Sequence, residues 1–416
     1  MSEHHYTSLT HPRMGCYFIA QFCSAFNDNA FKMVISMAAL AMQPEGGDGR
    51  AAYLSLTTAV FILPFLLFSG WAGFLADRYR KDRVLMFSKS FEIVAMVLAF
   101  LVFWENSHLK LLLATLFLMA THSAFFSPAK YGILPEILAP HDVAKANGYL
   151  MMTTYVAIIG GTLFGGYLWE FFSDDHVFIG AVLLAVAVGG TAFVYFIPKA
   201  PSGHVTARFD PNPLHEIGQC LPLVWRNPLL RFTLVASVLF WLMASLLYLV
   251  VLVYGREALH VSETKASALF AAAALGIGLG AIWAGHTRTG TRRLRLVLYG
   301  QLLLSAALLA LGLLNLLYYQ AFLLMSLLGL GSGLFVLPLL TLLQAEAPVN
   351  KRGQVMATSN FFDMAAILVS SLLFWVLHGL LGLTGQMIML GSGIMVAAGL
   401  VLLIPALRHV RRCIIA

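Results

Sequence analysis

One short polar run separates two long apolar stretches, and it reads Gly73-Phe74-Leu75-Ala76-Asp77-Arg78-Tyr79-Arg80-Lys81-Asp82-Arg83. Residues 53–76 precede the charged part of this run, and residues 84–104 follow it. Each stretch is long enough to cross a bilayer, which takes about 20 apolar residues in a helix. Two membrane helices joined by so few residues form a tight hairpin on one membrane face. The run therefore predicts a multi-pass helical membrane protein.

The composition of the whole chain points the same way. It has 416 residues, of which 60% are hydrophobic and 11% are charged. A soluble domain carries about 25% charged residues, so the excess apolar area must face lipid. The net charge of +7 comes from basic residues in short loops, where they act as topology signals, and no nucleic-acid partner is expected. The four cysteines have no paired spacing, so we predict no disulfide framework, metal site or cofactor.

Long apolar segments recur along the sequence and divide it into two halves. Twelve spans are predicted, at residues 14–42, 52–76, 84–104, 109–135, 143–170, 177–197, 229–255, 263–285, 294–315, 319–345, 353–380 and 384–407. The longest polar interruption follows the sixth span and is rich in proline. We therefore expect an N-terminal six-helix bundle at 1–197, a linker at 198–228 and a C-terminal six-helix bundle at 229–416.

The two halves share a sequence pattern. Residues 128–140 and 338–348 both begin with proline, end with Ala-Pro and precede a basic loop and a new span. Their offset of roughly half the chain predicts pseudo-symmetric bundles. The fold class expected is an all-α membrane protein with twelve transmembrane helices.

Lysine and arginine are distributed unevenly between alternate loops. One side of the membrane receives Arg13, the run at 78–83, Lys145, the linker, residues 288–295, residues 351–352 and residues 408–412. The other side receives only Arg50, Lys110, Arg256 and Lys265. The crowded side is cytoplasmic by the positive-inside rule, which places both termini there. The polar residues 1–13 lack a small-residue cleavage site, which predicts a signal anchor.

The first span contains the most informative polar residues. Ser24, Asp28 and Lys32 recur at every fourth position and so form one helical stripe, which Asn27 and Asn29 flank. A lone charge at mid-membrane costs about 2.5–3.5 kcal/mol on insertion scales, so this stripe must face the protein interior or water. Asp28 and Lys32 are spaced to pair with each other. The stripe is therefore a candidate binding site. The alternative is an ion pair between Asp28 and Lys32 that only fixes helix packing.

Two further spans place charged residues inside the membrane. His122 and Lys130 share a face of the fourth span. Lys130 either projects into a cavity or extends to the headgroups, whereas His122 is expected to be a packed or hydrogen-bonded residue rather than a proton relay. Lys89 and Glu92, one turn apart in the third span, are expected to form a stabilising pair at the membrane interface.

The second half offers fewer candidates. Asn360 and Asp363 lie one turn apart in the eleventh span. Asp363 lines a cavity, titrates, or forms an interhelical hydrogen bond, and the sequence leaves these roles open. Tyr248 belongs to a mildly amphipathic stripe of the seventh span, which is typical of packing as well as of ligand contact.

The spacing G-x-L-A-D-R-x-x-K-x-R of the opening run resembles the signature of the major facilitator superfamily between its second and third helices. This resemblance implies the major facilitator fold and alternating-access transport. It also implies that the hairpin latches the two halves together on the cytoplasmic side, through Gly73, Asp77, Arg78, Lys81 and Arg83. A merely topogenic basic loop is the alternative. The equivalent segment of the second half, Gly285-His286-Thr287-Arg288 followed by Arg292-Arg293, is basic but degenerate.

Two segments resemble one branch of that superfamily. Residues 21–30, QFCSAFNDNA, resemble the opening of bacterial lysophospholipid transporters and of the membrane portion of fused acylglycerophosphoethanolamine acyltransferases. Residues 126–134, FSPAKYGIL, resemble that branch's fourth helix. The resemblance implies a flippase that moves lysophospholipids from the outer to the cytoplasmic leaflet of the bacterial inner membrane. Asp28, Asn29, Lys32 and Lys130 would then meet the headgroup, although residues 246–248 lack the basic residue that some members carry there.

Motifs of other functional classes are absent from the sequence. There is no Walker glycine loop and no GxSxG elbow, so we expect no intrinsic enzyme activity. The expected partners are lysophospholipid and membrane lipid, with a cytoplasmic acyltransferase or acyl-ACP synthetase as a candidate and a monomer as the oligomeric state. Two alternatives remain open: a proton-coupled transporter of a small amphipathic molecule such as a drug or siderophore, and a membrane scaffold for an acylating enzyme.

Overall fold

A computed structural model describes residues 6–41, 49–105, 109–201, 209–287 and 291–415. All regular structure in these residues is helical. The first six helices are α1 Pro12–Ala41, α2 Gly49–Arg78, α3 Lys81–Trp104, α4 Leu109–Ile137, α5 Pro140–Phe172 and α6 His176–Val194. The others are α7 Pro213–Arg226, α8 Pro228–Glu257, α9 Glu263–His286, α10 Thr291–Leu313, α11 Tyr318–Glu346, α12 Arg352–Phe374 and α13 Gly385–Ile415.

Every predicted span corresponds to one long helix, and α7 is an additional helix within the predicted linker. Eleven helices of the described chain are long and apolar enough to cross a membrane. Of the helices that match predicted spans, α1 falls outside this set because, although 30 residues long, it carries the polar stripe around Asp28. A three-residue 3₁₀ turn precedes α12 and a six-residue π-helical stretch follows it.

Local sequence signals set several helix starts. Pro228 opens α8, where its missing N–H is not needed, and the Asn227 side chain accepts hydrogen bonds from the N–H groups of Leu229 and Leu230. The Asp175 side chain caps α6 in the same way by accepting from the N–H of Phe178. These caps satisfy backbone donors that would otherwise be unpaired at the helix ends.

The chain divides into two compact units, and three helices, α5, α7 and α12, each have residues in both. The first unit comprises 1–139, 157–222 and 347–361, and the second comprises 140–156, 223–346 and 362–416. The start of α5 therefore belongs to the second unit, and the start of α12 belongs to the first. The division into bundles at 1–197 and 229–416 stays a prediction.

Each unit has its own apolar core. The core of the first unit joins α1, α3, α4 and α6 around residues such as Phe31, Met96 and Leu116. Within this unit α5 lies close to α1, because a Cβ on Gly161 or Gly165 would come within 3.0 Å of the α1 backbone. The pair of GxxxG spacings in the fifth predicted span thus allows close helix packing, as the sequence indicates. The core of the second unit is built mainly from α8, α9, α10 and α11.

Candidate functional site

A buried polar cluster lies inside the first unit. Its members come from three helices, namely Ser24, Asn27 and Asp28 of α1, Lys89 and Glu92 of α3, and His122 and Ser123 of α4. All seven side chains are buried. A group of this kind inside a membrane helix bundle is expensive and marks a functional site by default.

Asp28 is held from the side by α4. Ser123 Oγ donates a hydrogen bond to Asp28 Oδ2 at 2.5 Å, and His122 Nδ1 lies 3.8 Å from Oδ1. No described residue donates a hydrogen bond to Oδ1, and the same holds for Asn27 Oδ1. A carboxylate oxygen and an amide oxygen each accept up to two hydrogen bonds. The cluster therefore keeps buried acceptors available for a donor from outside.

Lys89 and Glu92 form an ion pair in which neither side chain is exposed. The prediction of a pair is confirmed, and the pair is buried among α1, α4 and α6. Its expected place at the membrane interface stays a prediction. Asn27 Nδ2 donates to Glu92 Oε1 at 3.1 Å, and the α6 residue Thr191 donates to the Lys89 carbonyl at 3.1 Å. Removing one partner of a buried ion pair typically costs about 3–5 kcal/mol.

His122 connects the two carboxylates of the cluster. Its Nδ1 lies 2.8 Å from the Met119 carbonyl, which can only accept, so Nδ1 carries a hydrogen. Its Nε2 lies 3.0 Å from Ser24 Oγ and 3.2 Å from Glu92 Oε2. Ser24 can donate to a bare Nε2, whereas Glu92 needs a hydrogen on that atom. The ring is thus a hydrogen-bonded residue, as predicted, and its neighbours accommodate either the neutral or the cationic form.

The predicted pair between Asp28 and Lys32 is not formed in the described part of the chain. Asp28 accepts its hydrogen bond from Ser123 of α4, and Lys32 Nζ instead lies over the Phe61 ring, 5.1 Å from its centroid. A cation over a ring face is stabilised by the ring quadrupole. Asn29 Nδ2 donates to the carbonyl of Ala25 in its own helix. Of the predicted stripe, Ser24 and Asp28 therefore enter the cluster, while Lys32 and Asn29 do not.

Lys130 lies apart from the cluster. Its Nζ is 4.7 Å from the centroid of the neighbouring Tyr131 ring, and its carbonyl accepts a hydrogen bond from Tyr17 at 2.8 Å. The side chain is half-buried. Both predicted roles, cavity lining and extension to the headgroups, stay open.

The candidates of the second half separate from one another. In the second unit, Ser237 Oγ donates to both carboxylate oxygens of Asp363, at 3.0 and 3.1 Å. Asn360 belongs to the first unit, and its Nδ2 is buried with no hydrogen-bond partner in the described residues. Tyr248 is 48% exposed and packs edge-on against Phe270. Asp363 has the interhelical hydrogen bond that the sequence offered as one of its roles.

A second polar site surrounds the opening hairpin, also within the first unit. The Asp77 carboxylate accepts hydrogen bonds from the backbone N–H groups of Gly353, at 2.6 Å, and Gln354, at 2.8 Å. These N–H groups belong to the first turn of α12, which is a favourable place for a negative charge. We call this contact the Asp77 latch. It joins two segments that lie 276 residues apart in the sequence.

Charged side chains and small residues support the latch. Lys81 Nζ lies 3.7 Å from Asp77 and 2.6 Å from Glu136, and Arg352 lies 3.8 Å from Glu136. A Cβ on Gly73 would lie 2.7 Å from Ala357 Cβ and 2.9 Å from Gln354 Cα, so only glycine lets α2 and α12 approach this closely.

The remaining predicted gating residues lie nearer the surface. Arg78 lies over the rings of Phe74 and Tyr79, and Arg83 is exposed. Sequence reasoning missed Glu136, Gly353 and Gln354, which come from distant segments. The only signal available was the charge of Glu136 in an otherwise apolar helix end.

The equivalent place in the second unit lacks a carboxylate. Gly285, near the end of α9, passes the start of α5, where an added Cβ would lie 2.7 Å from the Ala144 carbonyl. Nearby in α5, Asn147 pairs with Gln344 of α11 through amide hydrogen bonds of 2.5 and 3.2 Å. The degenerate segment thus packs closely but caps no helix with an acid. Arg288 lies outside the described residues.

Neither polar site resembles a metal centre. No group of three or more His, Cys, Asp or Glu residues in the described ranges could hold a metal ion.

Comparison with known proteins connects these features to a family. The sequence model of the Major Facilitator Superfamily matches residues 17–371. A protein of Shigella sonnei (strain Ss046) named lysophospholipid transporter LplT is 30% identical over 374 residues, which cover 88% of this chain and 89% of that protein. The protein of the same name in Escherichia coli O1:K1 / APEC is 31% identical over 375 residues, with the same shares.

Solved structures share the fold at low sequence identity. A bacterial homologue of the iron transporter ferroportin, in an outward-facing state, superposes with a TM-score of 0.72 at 16% identity, covering 95% of this chain and 99% of that chain. The fucose:proton symporter FucP of E. coli gives a TM-score of 0.74 at 11% identity, covering 96% and 99%.

Proposed function

Because this chain belongs to the major facilitator superfamily and is a multi-pass membrane transporter, we propose that it flips lysophospholipids by alternating access. The direction proposed is from the outer to the cytoplasmic leaflet of the bacterial inner membrane, with both termini in the cytoplasm. The relatives named lysophospholipid transporter support the substrate class. The chain would act alone as a monomer and deliver its substrate to a cytoplasmic acyltransferase or acyl-ACP synthetase.

The observation that carries this proposal is the buried acceptor at Asp28. Lys89 pairs with Glu92, whereas His122 Nδ1 lies 3.8 Å from Asp28 Oδ1, too far for a hydrogen bond. An ammonium group would place a positive charge beside Asp28 and has hydrogens to donate to the open Asp28 Oδ1. Lysophosphatidylethanolamine presents such a group on a flexible headgroup, so it fits this end of the site.

The phosphate of the same headgroup calls for a cation one or two turns away. Lys32 lies on the stripe of Asp28, and within the described residues its Nζ makes a weak ring contact with Phe61 and no hydrogen bond. We assign Lys32 to the phosphate, with Asn29 and Lys130 as further headgroup contacts. In this proposal Asp363, Asn360 and Tyr248 line the part of the route contributed by the second half of the sequence.

The Asp77 latch supplies the gate. Its closed form joins the end of α2 to the start of α12 through charge-assisted hydrogen bonds, which are strong enough to hold a state and few enough to break in each cycle. Gly73 and Lys81 shape the latch, and Arg78 and Arg83 add positive charge beside it.

The test compares headgroups in proteoliposomes containing the purified protein. Uptake of lysophosphatidylethanolamine is measured beside uptake of lysophosphatidylglycerol, which lacks the ammonium group, for the wild type and for Asp28→Asn. We expect Asp28→Asn to lower kcat/KM about 10- to 100-fold for the ethanolamine lipid and much less for the glycerol lipid, since a hydrogen bond to a charged group contributes about 1.5–3 kcal/mol. The matched control is Ser90→Ala, whose hydroxyl only donates to its own helix.

Two outcomes would contradict the proposal. Equal losses of kcat/KM for the two lipids would show that Asp28 does not bind the ammonium group. Flux of a water-soluble amphipathic molecule along a pH gradient, with no lysolipid uptake, would replace the flippase by the proton-coupled transporter.

A further inference from the structure

The segment between the sixth and seventh predicted spans packs against α2 and α12, the two helices that the Asp77 latch joins. Helix α7 is amphipathic: Glu216, Ile217 and Cys220 are buried, while Gln219 and other residues between them face outward. The buried residues and the segment just before α7 all belong to the first unit, together with α2 and the start of α12.

Two ring contacts, one hydrogen bond and one close backbone approach join this segment to α2. The Phe209 ring packs against Trp71 and Phe74, with both centroid distances at 5.8 Å. Trp71 Nε1 donates a hydrogen bond to the Asp210 carbonyl at 3.1 Å. Gly70 lies against the backbone of the first α7 residue, where any side chain would clash. The segment is therefore fitted closely to α2.

The contacts with α12 are polar and fewer. Gln354 Nε2 donates a hydrogen bond to Glu216 Oε2 at 2.6 Å, and the fully buried Cys220 thiol is hydrogen-bonded with Thr358. Burial raises the pKa of Glu216 above its usual value and Asp210 raises it further, while His215 and Lys351 lower it. Burial likewise raises the pKa of the Cys220 thiol.

One residue serves both the latch and α7. The backbone N–H of Gln354 donates to Asp77, and its side-chain amide donates to Glu216. The start of α12 is thus held from one side by α2 and from another by α7. When α12 leaves Asp77, its contact with Glu216 must break as well, unless α7 leaves α2.

We propose that α7 is a clamp that stays on α2 and releases α12 each time the Asp77 latch opens. Glu216 is the gating residue, because its hydrogen bond with Gln354 closes the clamp. The proposal rests on the alternating-access part of the proposed function and not on the substrate.

The closely fitted contact decides which helix α7 keeps: Phe209, just before α7, packs its ring on α2, and Pro213 lies against Gly70. Two hydrogen bonds between described residues join α7 to α12. Release therefore exposes Cys220.

Cys220 reports directly on this release. In a background with Cys16→Ser, Cys23→Ser and Cys413→Ser, the rate of maleimide labelling of Cys220 is measured in proteoliposomes. We expect Glu216→Ala and Asp77→Asn each to raise the rate about tenfold, in line with the loss of one charge-assisted hydrogen bond. Glu216→Gln keeps an acceptor for Gln354 and should label nearly as slowly as the parent. Gln219→Ala, on the exposed face of α7, is the matched control.

A cross-link provides a second readout that does not depend on removing a contact. Thr358→Cys places a thiol beside Cys220 in the same background. Oxidation to the disulfide should abolish transport, and reduction should restore it.

The outcomes test the clamp proposal and the substrate proposal separately. Labelling at the parental rate in both Glu216→Ala and Asp77→Asn, or transport at the full rate in the fully cross-linked protein, would overturn the clamp even if lysolipid uptake is intact. Faster labelling in both variants with no lysolipid uptake would leave the clamp standing and refute the substrate.

Discussion

Removal of the Asp77 carboxylate is the sharpest test of the latch. In Asp77→Ala the start of α12 loses two acceptors, for the N–H groups of Gly353 and Gln354, and Lys81 loses one of its two carboxylate neighbours. Hydrogen bonds to charged groups contribute about 1.5–3 kcal/mol each, and replacing a helix N-cap by alanine costs about 0.5–2 kcal/mol. We take about 2 kcal/mol for the whole change, since water reaches the freed N–H groups once the latch opens.

A loss of about 2 kcal/mol raises the open fraction roughly 30-fold while the closed state dominates. The assay uses Ser359→Cys, a nearly isosteric change at a buried α12 position, in a background without the natural cysteines. Its rate of maleimide labelling should rise roughly 30-fold on addition of Asp77→Ala. Asp82→Ala is the matched control, because it removes the same charge from the same hairpin but from a carboxylate that binds Arg80 and the N–H of Ala200. Equal labelling in the two variants would refute the reasoning.

Three further outcomes are expected. Glu92→Gln should lower the free energy of unfolding by about 3–5 kcal/mol, because it leaves Lys89 buried without its counter-charge, whereas Lys89→Met combined with Glu92→Gln should lower it less; denaturation followed by circular dichroism measures both. Lys32→Gln should raise the KM for lysophosphatidylethanolamine about tenfold in the liposome assay. An unchanged KM would contradict the assignment of Lys32 to the phosphate. Burial raises the pKa of Glu216 when α7 and α12 are in contact, so this contact takes up a proton and is favoured at low pH. The labelling rate of Cys220, relative to that of a free thiol, should therefore fall as the pH is lowered from 7.5 to 5.5. Glu216→Gln should remove this dependence.

The helices and the inward-facing side of the first span could be predicted from sequence, because both depend on local composition and periodicity. Each apolar span became a helix, and Ser24 and Asp28 point into the protein as their shared face requires. The pairing of Asp28 with Lys32 was wrong because periodicity finds neighbours only on the same helix, while the actual partner, Ser123, is 95 residues away.

The missed residues share a physical cause. The burial of Lys89 and Glu92 depends on how α1, α4 and α6 surround α3, which their own spacing does not record. Helix α7 was hidden among prolines, although a starting proline and apolar residues recurring at helical spacing in residues 213–224 are a usable signal.

In the proposed gate, Gln354 makes opening all-or-none. Its main-chain and side-chain donors point to two different helices, so a twist of α12 by a fraction of a turn strips both bonds in one event. Partial opening would leave a buried carboxylate on each side without its donors, which makes half-open forms short-lived. Substitutions at Asp77 and Glu216 should consequently be non-additive, and their coupling energy measures how steeply the transporter switches.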